Sequence, residues 1–173
     1  WLFGYHTVAY PEYKDDIHYS QKPLFLLEHL GFQTDTSIKP VLFTNSADEV
    51  RMKSLLPKGY IVMSPFSNWG TKMWFSNRFL KVGVRLGKQF QLPIVLIGSL
   101  QDTMVARAMA EKISAQEVSV INLVGKTTVG ELKVILKYAK LLVSNDSAPV
   151  HIASSFDVPT VAIFGPTVKK WGF

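Results

Sequence analysis

The sequence predicts an α/β fold, a Rossmann-like parallel sheet with flanking helices. From residue 60 onward, short apolar segments alternate with helix-like segments at a spacing typical of β-α-β units. The apolar segments are nearly continuous runs of Val, Ile and Leu, as expected for strands covered on both faces. At 173 residues and 47% hydrophobic content, the chain can form one domain with a core, or one domain and part of another.

Hydrophobic spacing gives the order of the elements. A first helix precedes a polar stretch, and strands and helices then alternate to the end of the chain. The predicted strands span residues 60–65, 94–97, 118–123, 141–144 and 160–164, and the predicted helices span residues 21–30, 47–55, 76–90, 99–113, 128–139 and 148–156.

Local signals support the helix ends. Gly31 follows the first helix and is a typical C-terminal stop. Two later helices open on capping-box patterns, at residues 99–102 and 128–131. In the helix at 76–90, a spacing of three to four residues predicts one buried stripe. That stripe consists of Phe79, Val82, Leu86 and Phe90.

Composition excludes several classes of protein. Cysteine is absent, which rules out disulfides and thiolate metal sites. No apolar run approaches the roughly 20 residues of a membrane-spanning helix. The net charge of +6 favours anionic partners, although a basic protein without such a partner fits equally well. The basic residues are scattered and no nucleic-acid motif is present, so we expect no nucleic-acid partner.

The polar turn at residues 145–147 is the most informative segment. It lies between a predicted strand and a short predicted helix. Where a parallel strand leads into a helix, backbone N–H groups and the positive helix end can hold a phosphate. Ligands of open α/β sheets bind at these carboxyl ends of strands. The turn therefore predicts an anion site.

Four motifs follow one another along the chain: residues 65–74, Gly98-Ser-x-x-Asp102, Asn122-Leu-x-Gly-x-Thr127, and Asn145-Asp146-Ser147 with His151. In this order they resemble glycosyltransferase family 9, the bacterial heptosyltransferases that build the inner core of lipopolysaccharide from ADP-heptose. Residues 65–74 are similar to the family's phosphate loop, with Lys72 and Trp74 matching. Two positions depart from the family pattern, since Phe66 and Ala148 stand where the family usually has Gly.

The resemblance implies the C-terminal, donor-binding half of a two-domain GT-B glycosyltransferase. Residues 1–40 would be the tail of the N-terminal acceptor domain with its linker, and residues 41–173 the nucleotide-sugar domain. The expected reaction transfers heptose from ADP-heptose to the lipopolysaccharide inner core with inversion. The general base and the acceptor site would lie outside this chain. The implied location is the cytoplasm, with peripheral contact at the inner membrane left open.

The residues of the implied donor site are chemically suited to a nucleotide diphosphate. A cation at Lys72 would stabilise charge on the departing diphosphate, and Ser67 and Asn68 can donate hydrogen bonds to phosphate oxygens. Asp102 could accept from ribose hydroxyls. The predicted donor-binding set is Ser67, Asn68, Lys72, Asp102, Asp146, Ser147, Ala148 and His151.

Simpler roles are also open for these residues. Lys72 could be a solvated surface lysine, and residues 67–68 a plain polar turn. Asp102 and the Asp146-Ser147 pair could only cap helices. A nucleophilic pair of Ser147 and His151 is disfavoured, because no Gly-x-Ser-x-Gly elbow is present. Thr167, after the last strand, could also reach the site.

The sequence predicts no cofactor and no metal. It contains no Asp-x-Asp pair of the kind that holds a cation on a sugar diphosphate. His6, His18 and His29 lack metal-ligand spacing and are interpreted as structural or solvated. Two other functions remain open: a non-catalytic nucleotide-sugar binding module, and a GT-B-like UDP-sugar epimerase.

Overall fold

The structure, a computed structural model, describes residues 22–35 and 40–165. The chain divides into two units, of which the larger spans Val41–Pro166. In the other unit, the described helix α1 spans Lys22–His29. Gly31 follows it with a φ of +86°, and its N–H donates to the Glu28 carbonyl at 2.9 Å. The predicted glycine stop is therefore confirmed.

Within the described part of the larger unit, five parallel strands form one sheet in the order β3-β2-β1-β4-β5. The predicted α/β class is confirmed. The strands are β1 Ile61–Ser64, β2 Ile94–Leu96, β3 Val120–Asn122, β4 Leu141–Asn145 and β5 Thr160–Ile163. The helices are α2 Ser46–Leu55, α3 Ser76–Phe90, α4 Thr103–Ser114, α5 Val129–Lys137 and α6 Ala148–Ser154. The predicted helix at 99–113 thus begins with a 3₁₀ turn, Leu100–Asp102.

Helices cover the sheet on both faces. Every residue of β1 and β2 is buried. Val62 packs on one face in a cluster with Leu136 of α5, and Met63 packs on the other with Phe79 of α3. Burial on both faces explains why these strands are continuous apolar runs rather than alternating patterns. No helix among the described residues is long and apolar enough to cross a membrane.

The buried stripe of α3 differs from the predicted one. Phe79 is fully buried, but Phe90 is 53% exposed and Leu86 only half-buried. The positions that face the core after Phe79 are Gly83 and Gly87. A Cβ added at Gly87 would lie 2.3 Å from Val118 Cγ1, so the helix packs closer than any side chain allows. Hydrophobicity alone missed this face, because glycine carries no apolar signal.

We predict that Gly87→Ala lowers the free energy of unfolding by about 1–3 kcal/mol, because the new methyl group overpacks the buried Val118. Gly70→Ala is the matched control, since nothing lies within 4 Å of an added Cβ there. It should change stability by less than about 0.5 kcal/mol. Urea denaturation measures both variants. Equal stability of Gly87→Ala and the parent would show that the helix does not pack this closely.

Candidate functional site

The strand order creates a switch point between β1 and β4. From β1 the chain proceeds to β2 and β3 on one side, whereas β4 leads to β5 on the other. The two segments leaving this point, residues 65–75 and 146–147, therefore diverge. A crevice at the carboxyl ends of the strands results, which is the usual ligand position in such sheets.

A cleft of about 320 Å³ occupies this crevice. Its walls come from the ends of β1 and β2, the loop after β1, and the starts of α5 and α6. It is lined by Ser64, Phe66, Ser67, Asn68, Ile97, Gly98, Ser99, Asp102, Thr127, Thr128, Val129, Leu132, Ser147, Ala148 and Pro149. Five of the eight predicted site residues border it, namely Ser67, Asn68, Asp102, Ser147 and Ala148.

The buried side chain of Asn145 fixes the loop that follows β1. Its Oδ1 accepts a hydrogen bond from the Trp74 backbone N–H at 2.9 Å, and its Nδ2 donates to the Pro65 carbonyl at 2.8 Å. Asn145 is fully buried. One amide at the end of β4 therefore holds both ends of the loop at residues 65–74.

Lys72 and Asp146 form an ion pair next to the cleft. Lys72 Nζ lies 2.7 Å from Asp146 Oδ2. Asp146 is 3% exposed, whereas the Lys72 side chain is 26% exposed. The simple interpretation of Lys72 as a solvated lysine is therefore wrong. In this structure the ammonium neutralises a buried carboxylate and ties the loop to β4 a second time.

The loop is also tied to the turn after β2. Asn68 Oδ1 accepts from Gln101 Nε2 at 3.0 Å, and Ser67 Oγ accepts from the Trp69 N–H at 3.2 Å. Gln101 falls at a variable position of its motif and is not among the predicted site residues. Ser67 and Asn68 thus combine a turn-stabilising role with a position on the cleft wall.

Asp102 caps the turn after β2 and also lines the cleft. Its Oδ2 accepts from the Ser99 N–H at 2.9 Å and from Ser99 Oγ at 2.6 Å. The capping interpretation is therefore confirmed. The position of the carboxylate in the cleft wall keeps a contact with a ribose hydroxyl open.

The start of α6 contributes Ser147 and Ala148. Ser147 occupies the N-cap position, but its Oγ contacts the Asn145 carbonyl at 3.2 Å and Ser144 Oγ at 3.3 Å instead of a helix N–H. The simpler role, a side-chain cap from Ser147 to the helix, is therefore not seen. His151 is exposed and does not border the cleft. Its role in donor binding stays a prediction, and Thr167 lies outside the described residues.

Phe66 replaces the glycine of the family pattern without backbone strain. It is absent from the positive-φ residues of the described chain, so its backbone needs no glycine. The ring is 8% exposed and packs on Gly98, where an added Cβ would lie 2.6 Å from Phe66 Cδ2. Phe66 and Gly98 are therefore a complementary pair that forms an apolar floor for the cleft. This contact has no local signal in the sequence, because Phe66 and Gly98 are 32 positions apart.

The start of α5 is held by a buried charge. Glu131 Oε2 accepts from the Thr128 N–H at 2.8 Å, and the Thr128 hydroxyl accepts from the Glu131 N–H at 3.2 Å. The predicted capping box is confirmed. Glu131 is 2% exposed, and Arg51 of α2 pairs with it at 2.6 Å. This wall of the cleft is thus anchored to α2 through an arginine that the sequence did not single out.

The described residues contain no group of three or more His, Cys, Asp or Glu side chains placed to hold a metal ion. The polar groups of the cleft are hydroxyls, amides and one carboxylate. Such groups can form hydrogen bonds with a sugar or a phosphate ester.

A parallel sheet in this order, with a cleft over its switch point, defines a Rossmann-like α/β protein of the kind that binds nucleotides. The family model described as glycosyltransferase family 9 (heptosyltransferase) matches residues 8–171, and the chain belongs to this family. The resemblance carried by the four motifs is confirmed.

Curated relatives agree with this assignment. Lipopolysaccharide heptosyltransferase 3 of Escherichia coli K12 is 28% identical over 158 residues, which cover 87% of this chain and 44% of that protein. Lipooligosaccharide heptosyltransferase 2 of Campylobacter jejuni is 30% identical over 111 residues, which cover 64% of this chain and 35% of that protein. The chain thus spans less than half the length of these relatives.

Solved structures share the fold. The glycosyl transferase family 9 protein of Veillonella parvula superposes with a TM-score of 0.81 at 22% identity, covering 98% of this chain and 51% of that one. The ADP-heptose lipopolysaccharide heptosyltransferase II of E. coli gives 0.71 at 21% identity, covering 80% of this chain and 44% of that one. At these identities, the likeness supports the fold alone.

Proposed function

We propose that this chain is the donor-binding half of a heptosyltransferase that transfers heptose from ADP-heptose to the inner core of lipopolysaccharide, with inversion. The observation that carries the proposal is the cleft at the switch point, which five of the predicted donor-binding residues line. Membership of family 9 supplies the reaction class. One relative by sequence and one solved structure of the same fold are named as lipopolysaccharide heptosyltransferases.

The cleft suits a nucleoside diphosphate in one orientation. Its apolar floor, Phe66 with Ile97 and Leu132, offers a surface for the base. Asp102 would accept from the ribose. The diphosphate would lie between Ser67-Asn68 on one wall and the residues 147–148 on the other, where hydroxyl and amide donors face the cleft.

Lys72 would act on the leaving group. The departing ADP gains negative charge as the bond to the sugar breaks, and a nearby ammonium stabilises that charge. In the structure without donor, this ammonium faces Asp146 at 2.7 Å. We propose that the diphosphate draws Lys72 partly away from Asp146, so that one cation serves a carboxylate before binding and a phosphate after it.

The remaining parts of the reaction would come from outside this chain. The acceptor sugar and the general base would belong to an acceptor domain, of which residues 1–40 would be the tail. We propose that no metal is needed, because Lys72 and backbone donors take its place at the diphosphate. The reaction would occur in the cytoplasm, with the enzyme in peripheral contact with the inner face of the inner membrane. Family membership disfavours both a non-catalytic module and an epimerase.

We predict that Lys72→Ala weakens binding of ADP-heptose by roughly 1.5–3 kcal/mol, the scale of a charge-assisted hydrogen bond. Isothermal titration calorimetry on the 173-residue chain measures this. Lys112→Ala is the control, since that lysine is exposed on α4 away from the cleft. Thermal unfolding of both variants separates lost binding from lost folding. A folded Lys72→Ala variant with unchanged affinity would overturn the role of Lys72.

We also predict that donor binding is independent of divalent cations. Titrations of ADP into the chain in EDTA and in magnesium chloride should agree within about twofold, because the cation beside the cleft is Lys72. Residual metal is the main source of error, so the chain is dialysed against chelator first. Affinity that appears only with a divalent ion would refute metal-free binding.

A further inference from the structure

A second cavity lies at the opposite end of the strands from the donor cleft. Gly59 and Tyr60 lead into β1 and Lys140 leads into β4, so the cavity sits at the amino-terminal edge of the sheet. Helices α2 and α5 form its sides. Its volume is about 380 Å³, within the range of small-molecule sites.

The walls of this cavity are apolar. Met52 and Val134 line its floor and are almost fully buried. The apolar surface that a ligand can reach comes from Leu56, Pro57 and the side chain of Tyr138. Tyr60 also lines it, but its hydroxyl donates to the Ile135 carbonyl at 2.7 Å. Burial raises the pKa of the Tyr60 phenol, which therefore stays neutral. The interior thus offers mainly hydrocarbon and aromatic surface.

The rim of the cavity is positively charged. Lys58 and Lys140 both line it and are exposed. Among the described residues, neither has a carboxylate within ion-pairing distance. The aliphatic part of Lys140 lies near Gly59. A Cβ added at Gly59 would lie 3.7 Å from Lys140 Cε, so the lysine side chain runs along the edge of the cavity.

A third lysine at the rim is already paired. Lys53 Nζ lies 2.8 Å from Glu49 Oε2 and 4.5 Å from the centre of the Tyr138 ring. Lys137 contacts the same carboxylate at 2.5 Å and, with Lys53, holds the pKa of Glu49 far below its usual range. Glu49 therefore remains ionised between two ammonium groups. The charge left at the rim is cationic, from Lys58 and Lys140.

We propose that this cavity binds a single-chain amphiphilic anion, with an apolar tail against Leu56, Pro57 and the side chain of Tyr138 and an anionic head group at Lys58 and Lys140. A purely apolar ligand would leave the two ammonium groups unused, and a small inorganic anion would leave the apolar walls wet. An alkyl phosphate or a medium-chain carboxylate satisfies both parts of the cavity. The proposal does not rest on the function of the donor cleft, because the two sites lie at opposite ends of the sheet.

Titration of the 173-residue chain with octyl phosphate, below its micelle concentration, tests the proposal. We expect saturable binding of one molecule per chain, weakened by added salt. The Lys58→Ala/Lys140→Ala double variant should bind roughly tenfold more weakly, the scale of two partly exposed ion pairs. The control, Lys81→Ala/Lys112→Ala, removes two exposed lysines of α3 and α4 and should bind like the parent.

Three further arms distinguish the chemistry and the source of the ligand. Inorganic phosphate and 1-octanol should each bind at least tenfold more weakly than octyl phosphate, and equal binding by either overturns the proposal. Binding to vesicles of an anionic phospholipid without binding to octyl phosphate also overturns it, because a membrane surface rather than the cavity would then be the site. Excess ADP should leave octyl phosphate bound, and displacement by ADP would assign it to the donor cleft.

Filling the cavity gives an independent check. Leu56→Trp places a larger side chain at the half-buried edge of the cavity and should abolish binding of octyl phosphate. Circular dichroism and the thermal midpoint establish that the variant is folded. A folded Leu56→Trp variant with unchanged affinity overturns the proposal. If Leu56→Trp does not fold, the affinity of the Lys58→Ala/Lys140→Ala variant for octyl phosphate tests the proposal instead.

Discussion

The Asn145 side chain is the contact on which the donor cleft depends. This buried amide spans the switch point of the sheet, accepting from Trp74 and donating to Pro65. Each partner is a backbone group that would otherwise need water, and a buried polar group left unsatisfied costs about 1–3 kcal/mol. Because both ends of the loop are held by one residue of β4, displacing either end breaks a hydrogen bond to Asn145. This wall of the cleft, the loop at residues 65–74, is therefore fixed to the sheet at both of its ends.

The neighbouring residue adds charge to the same junction. Asp146 is nearly fully buried, and its carboxylate is stabilised there by Lys72. This pairing gives Lys72 two roles that compete for one ammonium group. It holds the loop in the donor-free structure, and in our proposal it meets the diphosphate when donor is bound. The strength of the Asp146–Lys72 ion pair would then set the free energy that donor binding must supply to release Lys72.

The sequence predicted the fold well, because β-α-β alternation and capping patterns are local signals. The capping box of Thr128 and Glu131 and the glycine stop at Gly31 appear as expected. The errors involve contacts between distant residues. Gly87 packs on Val118 and Phe66 packs on Gly98, and neither close approach has a local signature. In the site, motifs identified Ser67, Asn68 and Asp102, but the pairing of Lys72 with Asp146 depends on residues 74 positions apart.

Hydrogen exchange of the Trp74 amide measures directly whether Asn145 holds the loop that follows β1. We predict that Asn145→Ala speeds exchange of this amide by roughly tenfold or more, the scale of one lost buried hydrogen bond, and also weakens ADP binding. Asn122→Ala is the matched control, since Asn122 accepts from the Val124 N–H at the end of β3. It should leave Trp74 exchange unchanged. Slow exchange of the Trp74 amide in a folded Asn145→Ala variant, with full ADP affinity, would contradict the account.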